Sequence, residues 1–329
     1  MRALLAATLA LACACAPLSS ADDADIADQW TAIPIEATPV ELGAERIGRL
    51  VFRGGLALES SEGWFGGLSG MEVLEGDRVI FISDRIDWFE ARLTFTEEGA
   101  LAGLEGMRTA GLRDTRGERI DGDGNRDSEG LTQMRDGRFA VSFEQRPRIL
   151  IYDLNRDGPF GAAVEGPRLA GADRLPPNAS LEALAVDGDG NLVVGTEGGG
   201  GSTPVWVAPL SASEPVDPTH SYRMQLGYSL TALDRGPDGG YFAVERFYAP
   251  VIGARARIVY WPEDALAADG PIEGAEELAL IAPPLLVDNF EAISVVRRAD
   301  GGVRIYIASD DNFSDRQRTL IYAFDLESN

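Results

Sequence analysis

The stretch Leu181–Val194, LEALAVDGDGNLVV, decides the fold. It consists of two short apolar segments on either side of Asp187–Asn191, where glycine and asparagine supply the positive φ angles of a hairpin turn. In an antiparallel hairpin, the start of the first strand lies beside the end of the second. Glu182, which opens the first segment, therefore shares one end of the hairpin with Glu197, which follows the second.

The same pattern occurs five times along the chain. Each repeat begins with a short apolar strand, at Ser69–Val73, Glu129–Thr132, Glu182–Ala185, Thr231–Asp234 and Glu291–Ser294. A glycine-containing turn and a second apolar strand follow, and the second strand ends at an acid: Asp84, Glu144, Glu197, Glu245 and Asp310. A third strand often comes next, opened by Arg92, Arg148, Arg257 or Arg318. The third repeat lacks this arginine.

This repeat predicts an all-β fold, a β-propeller with five blades. A repeat that recurs about every 50–60 residues has the length of a propeller blade. The continuous apolar strands indicate burial on both faces. The last repeat has only three strands, so we expect the segment from Arg49 to Leu58 to complete its blade and close the ring. A sixth blade within residues 22–66 and a pair of β-sandwiches stay open as alternatives.

Composition excludes several kinds of chemistry. The chain has 329 residues with 29 basic and 53 acidic ones, so its formal charge is 29 − 53 = −24. Every basic residue is an arginine, which excludes lysine-based phosphate loops and Schiff bases. Both cysteines lie in the first fifteen residues, and His220 is the single histidine, so thiol catalysis and multi-histidine metal sites are excluded. The negative charge argues against nucleic acid as a partner.

The N-terminus has the features of an export signal. Arg2 precedes an apolar run, Ala3–Cys15, that is too short to span a bilayer. Cleavage before Asp22 would give a signal peptide at residues 1–21; alternatively, the segment around Cys15 resembles a lipobox and would carry a lipid anchor. Residues 22–44 are interpreted as a tether and residues 45–326 as the propeller domain. We therefore expect an exported, periplasmic monomer that contacts the membrane only through such an anchor.

The acids that open and close the repeats predict an acidic ring at one mouth of the propeller channel. It has eight members: Asp84, Glu129, Glu144, Glu182, Glu197, Glu245, Glu291 and Asp310. Clustered like charges are unfavourable unless something compensates them. Ca²⁺ suits such a site because it takes six to eight oxygen ligands and needs neither histidine nor cysteine. Arginines that follow the acids, such as Arg85 and Arg246, offer a second form of compensation, and the ring would then be purely structural.

Several ordered motifs resemble a known family. They are Leu68–Met71, Ser83–Arg85, Trp88–Leu93, Glu129–Leu131, Leu181–Ala185, Asp288–Glu291, Ser309–Phe313 and Gln317–Leu320. Together they are similar to the bacterial "esterase-like activity of phytase" family, or phytase-like domain, over about residues 46–325. The resemblance implies an exported propeller that hydrolyses phosphate esters or related esters and is related to calcium-dependent propeller phytases. The chain departs from the best-known propeller phytases in lacking their lysine-rich phosphate cluster.

Ring and resemblance together predict a calcium-dependent hydrolase of a small anionic ester. Glu291, Glu129 and Asp310 are the candidate catalytic residues. The candidate metal ligands are Asp84, Glu144, Glu182, Glu197, Glu245 and Asp311, and the candidate substrate-binding residues are Arg85, Arg92, Arg246, Arg318 and Asn312. Two alternatives remain, a non-catalytic binding or scaffold propeller and a calcium-dependent lactonase-like esterase that acts on a neutral ester or lactone.

Overall fold

The computed structural model describes residues 30–121, 126–176, 180–198 and 201–327. These residues form five separate β-sheets, which we number as blades 1 to 5 in chain order. The predicted signal peptide and both cysteines lie outside the described residues. Within the described ranges, no helix is long and apolar enough to cross a membrane.

Each blade is a sheet built mainly from antiparallel strands. In the description that follows, the strand named first in each blade is the innermost one. Blade 1 contains Leu68–Val73, Arg78–Ser83, Asp87–Phe95, Leu101–Gly111 and the edge strand Thr31–Ala32. Blade 2 contains Ser128–Gln133, Phe139–Phe143, Arg148–Tyr152 and Val164–Glu165. Blade 3 contains Leu181–Val186, Leu192–Thr196, Thr203–Ala208 and His220–Tyr222, to which Gly270–Pro271 adds in parallel. Blade 4 contains Ser229–Arg235, Tyr241–Ala249, Gly253–Trp261 and Glu276–Ile281. Blade 5 contains Asn289–Arg297, Val303–Asp310, Thr319–Leu326, Leu50–Glu59 and Glu36–Val40, with Arg46–Ile47 paired to Leu50–Glu59.

Helical structure in the described residues is confined to single turns. The α-helix is Leu154–Asp157, and the 3₁₀ segments are Glu75–Asp77, Gly158–Phe160, Ala172–Arg174 and Glu263–Leu266. The fold is therefore all-β, as predicted.

The five blades form a closed ring. The innermost strand of each blade contacts the innermost strands of both neighbouring blades, and blade 5 contacts blade 1. The buried apolar side chains form five clusters, one at each interface between neighbouring blades. Trp88, for example, packs between blades 1 and 2, and Trp206 between blades 2 and 3. Because every inner strand is covered on both faces, its nearly continuous apolar sequence is explained, and the prediction of a five-bladed propeller is confirmed.

The N-terminal segment closes the ring, as predicted. Leu50–Glu59 pairs antiparallel with the last strand of the chain, with Leu58 opposite Thr319 and Leu50 opposite Leu326. Glu36–Val40 then adds one further strand to the outer edge of blade 5, and Thr31–Ala32 does so at blade 1. Residues 30–66 thus extend two existing blades instead of forming a sixth. The described part of the predicted tether, residues 30–44, contributes both added strands.

His220 lies in a different environment from the one that the sequence indicated. The polar stretch around it suggested a surface loop, but His220 belongs to an outer strand of blade 3 and is buried. Its Nδ1 lies 2.8 Å from Oγ1 of Thr219. His220 pairs with Val205 on one side and with Gly270 on the other, so it lies inside the outer part of the blade 3 sheet.

Candidate active site

The hairpins bring the opening and closing acids of the repeats to one mouth of the channel. Glu182 follows Leu181, whose partner is Thr196, the residue before Glu197. In blade 5, Asn289 pairs with Asp310, so that Glu291 lies two residues along the same hairpin. The shared end predicted for these acids is therefore present.

A β-bulge accompanies the opening residue in all five inner hairpins. The register shifts between Leu68 and Gly70 in blade 1 and between Phe290 and Ala292 in blade 5, and corresponding shifts occur in blades 2, 3 and 4. A bulge inserts an extra residue and re-aims its side chain, and bulges are common beside active sites. Here the bulged positions include Glu129, Glu182 and Glu291, the acids that open their strands.

Two groups of three carboxylates share one member at this mouth. Asp127, Glu129 and Glu144 form the first group, and Glu144, Glu182 and Glu197 form the second. Within each group, one oxygen of every carboxylate lies within 4.8 Å of the others. Below, we call these five residues the acidic cluster.

Backbone hydrogen bonds fix the acidic cluster in place. The N–H of Asp127 donates to the carbonyl of Asp84 at 3.0 Å, and the N–H of Glu144 donates to the carbonyl of Asp127 at 2.9 Å. The N–H of Ser180 donates to Oε1 of Glu144 at 3.1 Å, which ties blade 2 to blade 3. The cluster is thus held by main chain from three blades.

Burial and mutual repulsion raise the pKa values of these carboxyls. Burial, followed by the charge of Glu182, raises the pKa of Glu129 well above its usual range. Burial also raises the pKa of Glu144 to about 7, with nearby Asp127 and Glu197 adding to the shift. Desolvation together with Asp310 and Asp127 raises the pKa of Asp84 to about 7. Carboxyl groups with raised pKa values are stabilised either by protonation or by a nearby cation.

Arg246 compensates the opposite side of the mouth. Its Nη2 donates to Oε1 of Glu197 at 2.8 Å, and its Nη1 donates to Oδ1 of Asn289 at 2.6 Å and lies 3.4 Å from Oε1 of Glu291. Burial alone would lower the pKa of this guanidinium, but Glu291, Glu182 and Glu197 outweigh it and raise the pKa. Nδ2 of Asn289 reaches Glu291 at 2.9 Å and Asp310 at 3.4 Å.

The mouth therefore has two unequal halves. The Arg246 half carries its own positive charge. In the other half, the side chains of Glu129 and Glu182 form no hydrogen bond or ion pair with the described residues, although the charge of Arg246 partly offsets the effect of burial on the pKa of Glu182. Oδ1 of Asp84 is buried there without a hydrogen-bond partner.

The uncompensated half fits a hard divalent cation. Ca²⁺ binds carboxylate oxygens at about 2.4 Å, so two oxygens on opposite sides of one ion lie at most about 4.8 Å apart. That span is the limit within which each group of three carboxylates falls. The donors are all oxygen, with no histidine or cysteine among them, which suits Ca²⁺ better than a softer metal.

Two predicted metal ligands are engaged elsewhere. Glu245 is completely buried and accepts a hydrogen bond from the Tyr222 hydroxyl at 2.5 Å and another from Arg257. Asp311 accepts from the backbone N–H groups of Gly67 and Phe313, each at 3.0 Å, and from the hydroxyl of Thr319 at 3.0 Å. These contacts hold the blades together and place neither carboxylate in the acidic cluster.

The predicted substrate-binding arginines are dispersed. Arg92 pairs with Arg78 in mid-strand and donates to the carbonyl of Gly76, at the end of blade 1 opposite the mouth. The third strand begins at Asp87, five residues before the arginine that was predicted to open it. Arg318 is exposed, although its backbone N–H donates to Asp288 at 3.0 Å. Only Arg246 reaches the carboxylates directly.

Arg85 and Asn312 lie in loops at the mouth. The guanidinium carbon of Arg85 lies 3.1 Å from the ring centroid of Phe313. Asn312 is exposed, and its N–H donates to Oδ1 of Asp310 at 2.6 Å. Burial and the charge of Glu291 raise the pKa of Asp310 to about 8.

Asp127 is a member of the acidic cluster that was not among the eight predicted ring acids. It ends the acidic loop Asp121–Asp127 and has a left-handed backbone, with φ of 79°. Left-handed φ values are uncommon outside glycine and often mark functional sites. Other non-glycine residues at this mouth share the feature: Ile86 with φ of 64°, and Asn312 and Phe313 with φ of 49° each.

Comparisons with known proteins identify the family. The model of the phytase-like family, described as esterase-like activity of phytase, matches residues 63–313. A search of curated proteins gave no match.

Solved structures show similarity at the level of the fold. The PQQ-bound aldose sugar dehydrogenase from Streptomyces coelicolor is 11% identical, with a TM-score of 0.45, over 90% of this chain and 100% of that one. Virginiamycin B lyase from Staphylococcus aureus is 9% identical, with a TM-score of 0.41, over 89% and 100%. The Cps50 (Swd1) β-propeller domain from Myceliophteria thermophila is 9% identical, with a TM-score of 0.40, over 89% and 100%.

Proposed function

The chain belongs to the phytase-like family, esterase-like activity of phytase, and we propose that it hydrolyses a small phosphate ester or related ester at the acidic mouth, with Ca²⁺ as its cofactor. The observation that carries this proposal is the pair of three-carboxylate groups that share Glu144 beside an unpaired Glu129. Arg246 forms ion pairs with Glu197 and Glu291, whereas no described ion pair joins an arginine to Asp127, Glu129 or Glu144.

The acidic cluster and Asp84 would hold the cation. When bound, Ca²⁺ would neutralise the carboxylates and polarise the ester oxygen. The charge of the cation would favour the ionised form of Glu129, and the raised pKa of this carboxyl would then suit it to accept a proton from the water that attacks the ester. Asp310, with a pKa of about 8, is protonated at neutral pH and can donate a proton to the leaving oxygen.

Arg246 and Glu291 would then play supporting roles on the substrate side. The guanidinium of Arg246 forms ion pairs with Glu197 and Glu291. Its other N–H groups could donate hydrogen bonds to an anionic oxygen of the substrate. Glu291, which was expected from the sequence to be catalytic, would instead orient the guanidinium of Arg246. Arg318 and Arg85 remain available at the outer mouth for a more extended anion.

The remaining parts of the proposal concern location and assembly. The apolar Ala3–Cys15 run after Arg2 supports export to a periplasmic compartment, with a lipid anchor at Cys15 as the alternative to cleavage before Asp22. We propose a monomer, because the inner strands are covered by their neighbours and closure of blade 5 uses a segment of the same chain. Contact with nucleic acid is disfavoured by the charge of −24.

A non-catalytic binding propeller is the second candidate. Buried acid–arginine pairs such as Arg257 with Glu245 and Arg304 with Asp325 join neighbouring strands within one blade, so this chain also has ion pairs of structural use. If the acidic cluster serves only to hold a structural cation, the fold would be stabilised without any reaction. A calcium-dependent lactonase is the third candidate, since a neutral ester avoids repulsion by the negative chain.

Hydrolysis assays with a matched acid substitution separate these candidates. Phosphate monoesters, carboxylate esters and lactones would be tested with Ca²⁺ and with chelator, using wild type, Glu129→Gln and the control Glu75→Gln. Glu75 lies exposed in the turn at the opposite end of blade 1. We expect calcium-dependent turnover that falls at least 100-fold in Glu129→Gln, since general acid–base catalysis contributes about 10²–10⁴-fold, and is unchanged in Glu75→Gln. Equal turnover in both variants would contradict the role of Glu129, and no turnover of any class by a calcium-binding wild type would favour the binding propeller.

A further inference from the structure

A cavity of about 680 Å³ lies at the outer edge of blade 1, beside the loop that follows Asp84. This volume falls within the range typical of small-molecule sites, about 300–1,000 Å³. Among the described residues, its charged lining consists of four arginines and two aspartates: Arg85, Arg113, Arg119, Arg126, Asp87 and Asp121. A local excess of two positive charges is unusual in a chain of charge −24.

Two of the four guanidinium groups form no salt bridge with the described residues, although the charge of Arg85 acts on Asp84 and Asp87 and partly offsets the rise that burial causes in their pKa values. Arg119 pairs with Asp87 at 3.1 Å, and Arg126 pairs with Asp121 at 3.3 Å. Arg85 and Arg113 form no ion pair with any described residue. Nε of Arg113 is buried and has no hydrogen-bond partner. The guanidinium of Arg113 forms no hydrogen bond with the described residues, so its outer N–H groups are available to an acceptor in the cavity.

An aromatic ring stacks on each of these two arginines, Phe160 from the cavity lining and Phe313 from outside it. The guanidinium carbon of Arg113 lies 4.5 Å from the ring centroid of Phe160. That of Arg85 lies over Phe313 at 3.1 Å. A guanidinium that stacks on an aromatic ring keeps its in-plane N–H donors free, and these donors suit the oxygens of a phosphate or sulfonate.

One wall of the cavity is aromatic and open. Trp64 lines the cavity and is 37% exposed. Its ring lies parallel to that of Phe89, with an interplanar angle of 9° and 6.2 Å between centroids, so its orientation is set by the core of blade 1. A planar group on the ligand could pack against this indole.

We propose that this cavity binds a tetrahedral oxyanion attached to a planar ring, such as an aryl phosphate, with Arg113 and Arg85 on the oxyanion and Trp64 on the ring. The site is separate from the acidic cluster, and its occupation does not depend on hydrolysis. Arg85 follows Asp84 directly in the chain. An anion bound by Arg85 in this cavity would therefore lie on the side of the cavity that faces the acidic mouth.

Calorimetric titration with phenylphosphonate tests the proposal. This probe is an aryl oxyanion whose carbon–phosphorus bond resists ester hydrolysis, so the result is independent of catalysis. The protein would be metal-free and dialysed free of chelator. The variants are Arg113→Gln and the control Arg116→Gln; Arg116 is exposed, lies outside the cavity and pairs with Asp114.

We expect saturable binding by wild type and by Arg116→Gln, and binding at least about tenfold weaker by Arg113→Gln, the loss of one charge-assisted hydrogen bond. Arg113→Lys, which keeps the charge but not the planar fork, should fall between them and guards against misfolding of the glutamine variant. Trp64→Leu should remove the preference for phenylphosphonate over methylphosphonate. Absence of binding by wild type, or equal affinity in Arg113→Gln and Arg116→Gln with unchanged thermal midpoints, would overturn the proposal.

Discussion

Replacement of Arg246 by glutamine tests whether the mouth has two different halves. In one half, Arg246 balances the charge of the carboxylates; in the other, a bound cation is needed to do so. The side chain of Arg246 is 22% exposed, and those of Glu197 and Glu291 are 17% and 14% exposed. Glutamine keeps the polar contact with Asn289 but removes the positive charge. Removal of one partner from a buried ion pair typically costs about 3–5 kcal/mol.

We therefore expect metal-free Arg246→Gln to lose about 3 kcal/mol of stability at pH 7. For a chain of this size, that loss corresponds to a thermal midpoint about 6 °C lower, from roughly 2 °C per kcal/mol. Saturating Ca²⁺ should restore a large part of the loss, because a cation in the acidic cluster would act on Glu197, which belongs to both the Arg246 network and the second carboxylate group.

Arg257→Gln is the matched control. Arg257 also pairs with a buried acid, Glu245, but this pair lies away from the acidic cluster. The control should be destabilised to a similar extent, and Ca²⁺ should raise its midpoint no more than that of wild type. Differential scanning calorimetry of wild type and both variants, with and without Ca²⁺, measures all six midpoints. Equal responses of Arg246→Gln and Arg257→Gln to Ca²⁺ would refute the two-half description of the mouth.

Further predictions concern pH and packing. Burial raises the pKa values of Asp84 and Glu144 to about 7 and that of Asp310 to about 8, above the value near 4 expected in the unfolded chain, so the folded protein binds these protons more tightly. The stability that these groups contribute is complete below pH 4 and is lost as the pH rises toward 8. In urea unfolding of the metal-free protein between pH 5 and 7, these three groups should contribute a decline of at most about 4 kcal/mol per pH unit, three protons at about 1.4 kcal/mol each, and less where solvent screens the carboxylates. Other buried carboxyls with raised pKa values, such as Glu129 and Asp234, add to this decline. A free energy of unfolding that is flat or rises over this range would contradict the shifts. Gly67→Ala should destabilise the mouth, because φ is +65° there and the added Cβ would lie 2.3 Å from Oδ1 of Asp84; the same change at exposed Gly63, where the Cβ meets nothing within 4 Å, is the control, and equal midpoints would count against close packing at this loop.

The sequence predicts the architecture well because the repeat is explicit in it. Leu181–Val194 contains two apolar segments and an unmistakable turn, and the same pattern recurs four more times. Closure by the segment Leu50–Glu59 was also predictable, since the last repeat is one strand short. The inner strands are buried on both faces, and their sequences are therefore almost continuously apolar.

The make-up of the site was less predictable, because it depends on where side chains turn. Bulges at the opening residues re-aim Glu129 and Glu182, and they have no distinct sequence signature. Asp127 reaches the cluster through a left-handed backbone that an acidic loop alone does not reveal. Glu245 occupies an equivalent repeat position to Glu197 but is held by Tyr222, a residue from a different blade.

The roles of the arginines at the mouth were also hard to predict from the sequence. Those that follow a second strand look alike in sequence, yet Arg246 enters the mouth and Arg85 packs on Phe313. Which one becomes a counterion depends on contacts between blades, and these are long-range in sequence. Repeat position alone therefore identifies candidates but does not assign their roles.

The most direct test of the central claim is calorimetric titration of metal-free protein with Ca²⁺, comparing wild type, Glu144→Gln and the exposed-turn control Glu75→Gln. Glu144 belongs to both three-carboxylate groups, so a cation in either one should depend on it. The account predicts saturable binding by wild type and Glu75→Gln, and binding weakened at least about tenfold in Glu144→Gln, as expected for loss of one charged ligand. Absence of binding by wild type, or the same affinity in Glu144→Gln, would contradict a cation site at the acidic mouth.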